Sequence, residues 1–343
     1  MGVVTVNRRR FLQGSVAVAG LGLFSGCGIV ASLAGKPARV RRVGILNQNS
    51  APPTPSDWPG LVVWRQQMAE LGWIEGQNLL VEFRHAGGVI ARLPELAAEL
   101  VQAGVDVIYT SSTPEADAAR QATTSIPIVA GSADPVKAGL VESLARPGRN
   151  VTAYSNFDIE LNAKRIELLK ECVPGLARMA VLRDIQGRGT PMFVGHTEVL
   201  QRSASGLGIE ILHADLTDGS QLAAAVSDAV AHHADALYVA SSPRLYDFQP
   251  QIAELAARNH LPSIAPNALF ARAGVLMSYA ANEDDLKRRS AVLVDKILRG
   301  ANPAELPVER ATTFDCAINL KTAQALGLTV PDPVLRQATE LIQ

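Results

Sequence analysis

Two apolar runs of this 343-residue chain break into turns crowded with hydroxyl and carboxylate side chains. Val105-Asp106-Val107-Ile108-Tyr109 opens into Thr110-Ser111-Ser112-Thr113-Pro114, and Ile126-Pro127-Ile128-Val129-Ala130 opens into Gly131-Ser132-Ala133-Asp134-Pro135. A strand that passes through such a turn into a helix aims unpaired N–H groups and a partial positive charge beyond the sheet edge. Ser111, Ser112 and Thr113 suit a ligand carboxylate there, with Pro114 at the first helical position, where its missing N–H costs nothing. The same residues also read as an ordinary Ser/Thr helix cap. Asp134, held extended by Pro135, can pair with a ligand ammonium or cap a helix beginning at Val136. Used together, the two turns would hold an amino-acid-like solute by its opposite ends.

Comparable polar residues follow other predicted strands: Asn47 and Gln48, Asp184, Ser241 and Ser242, and Asn267. Open α/β sheets hold their ligands at these carboxyl ends. Tyr154, Phe157 and Tyr279 lie at predicted linkers, where an aromatic ring stacks on a ligand or packs the linker itself. Catalytic patterns are sparse. The six histidines show no metal-ligand spacing. The chain has no Gly-x-Ser-x-Gly elbow and no Gly-x-x-x-x-Gly-Lys loop, and the first strand leads into Leu46-Asn47-Gln48-Asn49 rather than a dinucleotide fingerprint. No cofactor or metal is expected. The competing chemistry is an α/β enzyme using Asp134 and Asp184 as acid and base, and the competing role is an exported ligand-sensing domain.

Helix and strand signals alternate around these turns. Predicted strands at Val40–Leu46, Leu79–Phe83, Val105–Tyr109 and Asn150–Tyr154 are separated by helical spacing at Leu61–Leu71, Arg92–Ala103, Pro114–Thr123 and Val136–Ala145. After Ser155 the series restarts, with strands at Arg178–Leu182, Ile209–Leu212, Ala236–Val239 and Pro262–Ile264 between helices. Such a βαβα series predicts parallel sheets covered on both faces, and its length predicts two lobes divided near Val151–Asp158. Gly274–Tyr279, Glu283–Leu298, Thr312–Ile318 and Leu320–Leu326 are too few to form a third domain. They must pack on the existing lobes, so the chain crosses between lobes more than once.

Composition fits this reading: 48% hydrophobic, 19% charged, 5% aromatic, net charge −1 and no basic face suited to nucleic acid. The N-terminus is patterned differently. Arg8-Arg9-Arg10 precedes an uncharged run from Phe11 to Gly35 that contains Phe24-Ser25-Gly26-Cys27, which looks like a twin-arginine export signal with a lipobox. Cleavage before Cys27 would place a lipid on its sulfur; cleavage after Ser32-Leu33-Ala34 would release a free periplasmic protein; retention would leave an anchor. Loss of the first 26 residues removes three arginines and no acid, leaving a mildly acidic domain. Cys172 and Cys316 read as buried thiols or as a single disulfide.

At this point a family resemblance enters. Leu93-Pro94-Glu95-Leu96-Ala97-Ala98-Glu99-Leu100, Val105-Asp106-Val107-Ile108, Thr113-Pro114, Gln121-Ala122-Thr123, Asp134-Pro135-Val136 and Ser143-Leu144-Ala145-Arg146-Pro147-Gly148 occur in an order that resembles ABC-transporter substrate-binding proteins of the tryptophan/tyrosine-binding type. Lys164-Arg165-Ile166-Glu167-Leu168-Leu169-Lys170, Gly274-Val275-Leu276-Met277-Ser278-Tyr279 and Ile318-Asn319-Leu320-Lys321-Thr322-Ala323 continue it. The resemblance implies the type I periplasmic binding protein fold: two Rossmann-like lobes with parallel sheets, about 40–154 plus 281–310 and 156–278 plus 311–343, joined by a multi-strand hinge. It also implies an exported, monomeric receptor that delivers its solute to an ABC permease, with residues 1–34 as the export signal.

Overall fold

Val107–Thr110 and Ile128–Ser132 are buried at every position, the pattern of strands covered on both sides. They sit in a sheet of the computed structural model, which describes residues 39–51, 59–156, 158–185, 188–189 and 191–343. The predicted leader, Cys27 and Phe157 lie outside the described residues. Val40–Gln343 forms one unit.

Its first part runs β1 (Arg41–Asn47), α1 (Pro59–Glu70), β2 (Leu79–His85), α2 (Leu93–Gln102), β3 (Val107–Thr110), α3 (Thr113–Ala122), β4 (Ile128–Ser132) and β5 (Val151–Ser155). The second runs α4 (Asp158–Cys172), β6 (Arg178–Asp184), α5 (Pro191–Gly206), β7 (Glu210–Leu216), α6 (Leu222–Ala231), β8 (Ala236–Val239), α7 (Pro243–Tyr246), α8 (Gln249–Arg258), β9 (Ser263–Ala265), α9 (Ala268–Ala273) and β10 (Met277–Ala281). Then follow α10 (Glu283–Leu298), β11 (Glu309–Arg310), β12 (Phe314–Asn319), α11 (Leu320–Ala325), α12 (Asp332–Leu335) and β13 (Glu340–Ile342).

These strands form two sheets, ordered β11-β5-β4-β3-β1-β2 and β13-β12-β10-β9-β8-β6-β7. Every pairing in the first sheet is parallel. The second is parallel from β7 to β10, but β12 pairs antiparallel to β10 and carries β13 beside it. The chain passes between sheets three times, from β5 to β6, from β10 to β11, and from β11 to β12.

Each sheet has apolar clusters on its two faces. On one face of the first sheet, Leu61, Trp64 and Met68 of α1 meet Leu286, Leu293 and Val294 of α10 over Val43, Tyr109 and Val129; α2 and α3 cover the other face. Helix α10 forms where its sequence predicts. Asn282 caps it through Asp285 N–H at 2.8 Å, three acids occupy the first turn, and Lys296 lies in the last.

The helix expected over 136–145 does not form. Pro135–Gly139 is a turn, Gly139 is left-handed at φ 67°, and the Ser143 hydroxyl takes the N–H of Arg146 and donates to its carbonyl. Local side-chain bonds compete with helix at this position. The short elements α7, α9 and β13 have too few residues to show a period and are not predicted from sequence.

Candidate ligand-binding cleft

Glu115 organises the first-sheet edge. It is the third residue of α3, fully buried, and its carboxylate accepts the N–H of Gln48 at 2.8 Å, of Ser111 at 2.7 Å and of Ser112 at 3.0 Å, and the Ser111 hydroxyl at 3.1 Å. Burial pushes its carboxyl up from the usual range, against these hydrogen bonds, which pull it down. The N–H groups of Ser111 and Ser112, expected to meet a ligand carboxylate, are thus engaged by a side chain of the same helix. The Ser111 hydroxyl is likewise spent on Glu115, and the Thr113 hydroxyl is bonded to Ser132 Oγ at 3.0 Å. Asn47 Nδ2 donates to Ser111 Oγ at a long 3.5 Å. Gln48 is buried with its Oε1 unpartnered among the described residues. Asp134 accepts the N–H groups of Val136 and Lys137 at 3.2 and 2.9 Å, capping the turn that replaces the expected helix.

Below this edge lies a ladder of rings. Trp64, Tyr109 and Tyr154 follow one another at centroid distances of 5.7 and 6.1 Å. The two tyrosine hydroxyls are 2.9 Å apart, and Tyr154 donates to the Thr110 carbonyl at 3.3 Å. Gly131 makes room for this: a Cβ there would lie 2.7 Å from both Tyr154 Oη and the Ser111 carbonyl oxygen. Lys287 of α10 reaches the ladder from the side, its Nζ 3.4 Å from Tyr109 Oη and 6.0 and 5.9 Å from the Tyr109 and Tyr154 ring centres.

In the second lobe, Asp158 and Arg165, both on α4, form a buried ion pair at 2.6 Å. Arg165 also donates to Asn162 Oδ1 at 3.1 Å and, through Nε, to the Tyr279 carbonyl at 2.7 Å, so helix α4 grips strand β10. Tyr238 donates to Asn162 Oδ1 at 2.6 Å, and Asn162 Nδ2 meets His196 Nδ1 at 3.1 Å. Burial would push Asp158 up, but Arg165, His196 and the Ser241 hydroxyl together hold it below its usual range. Burial, only partly opposed by Asp158, holds the His196 imidazole low, so it stays neutral near pH 7. Asp184 accepts Ser242 Oγ at 3.2 Å and Arg244 Nε at 3.1 Å. The Tyr279 ring stacks on Phe314 at 5.9 Å, packing the linker.

Among the described residues, the sheets' edges approach each other at two places. Asn267, which caps α9 through Leu269 N–H, donates to Glu283 Oε1 at 3.1 Å. Lys137 Nζ would lie 3.5 Å from a Cβ on Gly195 of α5. The expected strand-end residues lie at the ends of their strands, while Glu115, Tyr109, Lys287, Arg165 and Arg244 were not singled out from sequence. Only Glu115 had a signal, the Ser112-Thr113-Pro114-Glu115 capping-box spacing.

Two covered sheets joined by three chain crossings have the type I periplasmic binding protein fold. The chain belongs to the family described as ABC transporter substrate binding protein, whose profile matches residues 64–342. It is similar to the "Tyrosine-binding protein" of Clostridioides difficile, at 28% identity over 262 residues, 76% of this chain and 74% of the relative. Among solved structures it resembles a conserved domain protein from Vibrio cholerae (28% identity, 88% of this chain and 100% of the other, TM-score 0.78). It also resembles a ligand-free, open substrate binding protein with adhesive properties from Clostridium difficile (26%, 89% and 100%, TM-score 0.65). The fold is shared with the ABC domain in complex with L-Trp from Streptococcus pneumonia (24%, 88% and 99%, TM-score 0.77). The chain is accordingly a solute-binding receptor, in a family of binding proteins rather than enzymes, and membership implies delivery to an ABC permease.

Proposed function

We propose that the cleft between residues 40–154 plus 281–310 and residues 156–278 plus 311–343 captures an amino-acid-like or carboxylate solute outside the cytoplasmic membrane. The observation that carries this reading is the concentration of polar residues at the carboxyl ends of otherwise apolar strands: Asn47 and Gln48 after β1, Ser111 to Thr113 after β3, Asp134 after β4, and Asp184, Ser241, Ser242 and Asn267 in the second lobe. Tyr154 and Tyr279 stand where the chain crosses between the lobes. The relative named for tyrosine and the fold-mate bound to L-Trp support an amino-acid ligand. Closure about the crossings would desolvate the solute and commit it to the permease.

The leader is read as a twin-arginine export signal, with Cys27 as the lipid attachment point. Intact-mass analysis of protein from a membrane fraction tests this: the Cys27→Ala variant should lose the lipid mass and become soluble, and a lipid-free wild type would sink it. Solute capture is tested by thermal-shift screening of amino acids and carboxylates against residues 36–343. A ligand at 100 times its Kd adds about 2.7 kcal/mol. Turnover of any such solute, lost on Asp134→Ala, would move the chain to the enzyme class.

A further inference from the structure

We propose that Lys287 is the anchor for the solute's carboxylate, which makes the cleft selective for solutes that carry one. The inference rests on the receptor reading above and names the residue that discriminates within that site.

Most charges at the cleft edge are already engaged, Lys137 beside Gly195 excepted. The N–H groups at the start of α3 are taken by Glu115. Arg165 is neutralised by Asp158 at 2.6 Å and Arg244 is engaged by Asp184 at 3.1 Å. Lys287 forms no ion pair among the described residues, and its one hydrogen bond, to Tyr109 Oη, is long at 3.4 Å.

Its setting is nevertheless built. The stem runs past Gly60, where a Cβ would lie 3.0 Å from Cε, so the helix start of α1 has no side chain in its way. The ammonium rests beside the faces of two tyrosine rings, which favour a cation without cancelling it. The tyrosine hydroxyls form a directed chain: Tyr154 donates to the Thr110 carbonyl, so Tyr109 donates to Tyr154, and the Tyr109 oxygen is left to accept from Lys287, with Ser290 Oγ also 3.4 Å away and itself bonded to the Lys287 carbonyl at 2.7 Å. An ammonium has three donors, and this arrangement uses one.

The position also fits. Lys287 lies one turn beyond Glu283, which bonds Asn267 of the second lobe, and it faces Tyr154, the penultimate residue of the strand that makes the first crossing. Burial would lower its proton affinity, but Tyr109 together with Glu283 and Glu115 keeps it charged. A charged ammonium on a partly buried side chain, with two donors unused among the described residues and set beside the hinge, is a carboxylate receptor.

The test uses calorimetric titration of the wild type, Lys287→Met and the charge-keeping Lys287→Arg with L-tyrosine, L-tryptophan and L-phenylalanine, each paired with its carboxamide. The wild type is expected to prefer the acid of its ligand over the amide by roughly tenfold to a hundredfold, the worth of a charge-assisted hydrogen bond. Lys287→Met should weaken the acid by the same factor and no longer distinguish the two, whereas Lys287→Arg should keep a preference for the acid. If Lys287→Met still prefers the acid as strongly as the wild type, the anchor is elsewhere and the receptor reading stands. If the wild type binds an acid and its carboxamide equally, the cleft does not select for a carboxylate and the proposal falls while the receptor reading stands. Should Lys287→Met not fold, reductive methylation of the wild type read by mass spectrometry decides: saturating acid should shield Lys287 and the amide should not, and equal modification overturns the proposal.

Discussion

Removing Arg165 should cost the protein about as much as any single substitution can. Arg165→Met keeps the side chain's length and apolar contacts but strips Asp158 of its partner inside the second lobe, where the two side chains are 1% and 7% exposed. It also leaves the Tyr279 carbonyl of β10 without the 2.7 Å bond from Nε. Breaking a buried pair by deleting one member costs about 3–5 kcal/mol, because the survivor stays buried and unpaired. Urea unfolding at pH 7 reads this directly, and the double variant Arg165→Met with Asp158→Asn should regain much of the loss.

The pH dependence gives a sharper check. In the wild type Asp158 is held below its ordinary value, so its contribution is present above about pH 4 and disappears as pH falls through the lowered native pKa. In Arg165→Met burial acts with less opposition and raises the carboxyl, so the native state binds the extra proton and stability falls as pH rises. The two proteins should converge in acid and diverge toward neutrality. A loss below 1 kcal/mol at pH 7, or a gap independent of pH, would refute the role given to this pair.

Other outcomes follow from the same geometry. Gly131→Ala places a methyl 2.7 Å from Tyr154 Oη and the Ser111 carbonyl oxygen, and overpacking of this kind costs about 1–3 kcal/mol; chemical denaturation should show it, together with weaker solute binding by titration. Glu115→Gln turns an amide N–H₂ toward the N–H of either Gln48 or the Ser111–Ser112 turn, costing about 1–3 kcal/mol in the same assay, and removes the decline in stability that the raised Glu115 carboxyl causes as pH rises through its native pKa. Cys172 and Cys316 are free and buried, with burial pushing their thiols up to about 12 and about 11; both should resist a thiol reagent in the native protein and react on unfolding.

How much of this was legible in the sequence depends on how local the deciding force is. Helix α10 was fully legible, Glu283 to Leu298, because its acidic first turn lies in the segment and its Asn282 cap and Gly300 flank it directly. The helix expected over 136–145 failed on equally local grounds, the hydroxyl of Ser143 and the left-handed Gly139, which the apolar spacing outweighed in the reading. The strand-end rule brought Asn47, Ser111, Asp134, Asp184 and Asn267 to the sheet edges, yet could not say whose donors were already spoken for. Glu115 closes on Gln48 across 67 residues of chain, and Arg165 finds the Tyr279 carbonyl across 114. Arg165 and Lys287 sit within ordinary amphipathic helices, and nothing in their neighbours along the chain marks them. Their roles exist only once the sheets are assembled.

The pairing of α1 with α10 has a consequence for how this chain is made. Leu61, Trp64 and Met68 emerge from the ribosome early, but Leu286, Leu293 and Val294, which cover them, follow only after ten of the thirteen described strands. At about 5–20 residues per second, the interval is on the order of ten seconds or more. Throughout it, the first sheet presents one greasy, unfinished face while the second lobe grows beside it. Such non-local closure predicts slow folding and a nascent chain that depends on chaperone shielding along the α1 seam, where helix α10 will later dock.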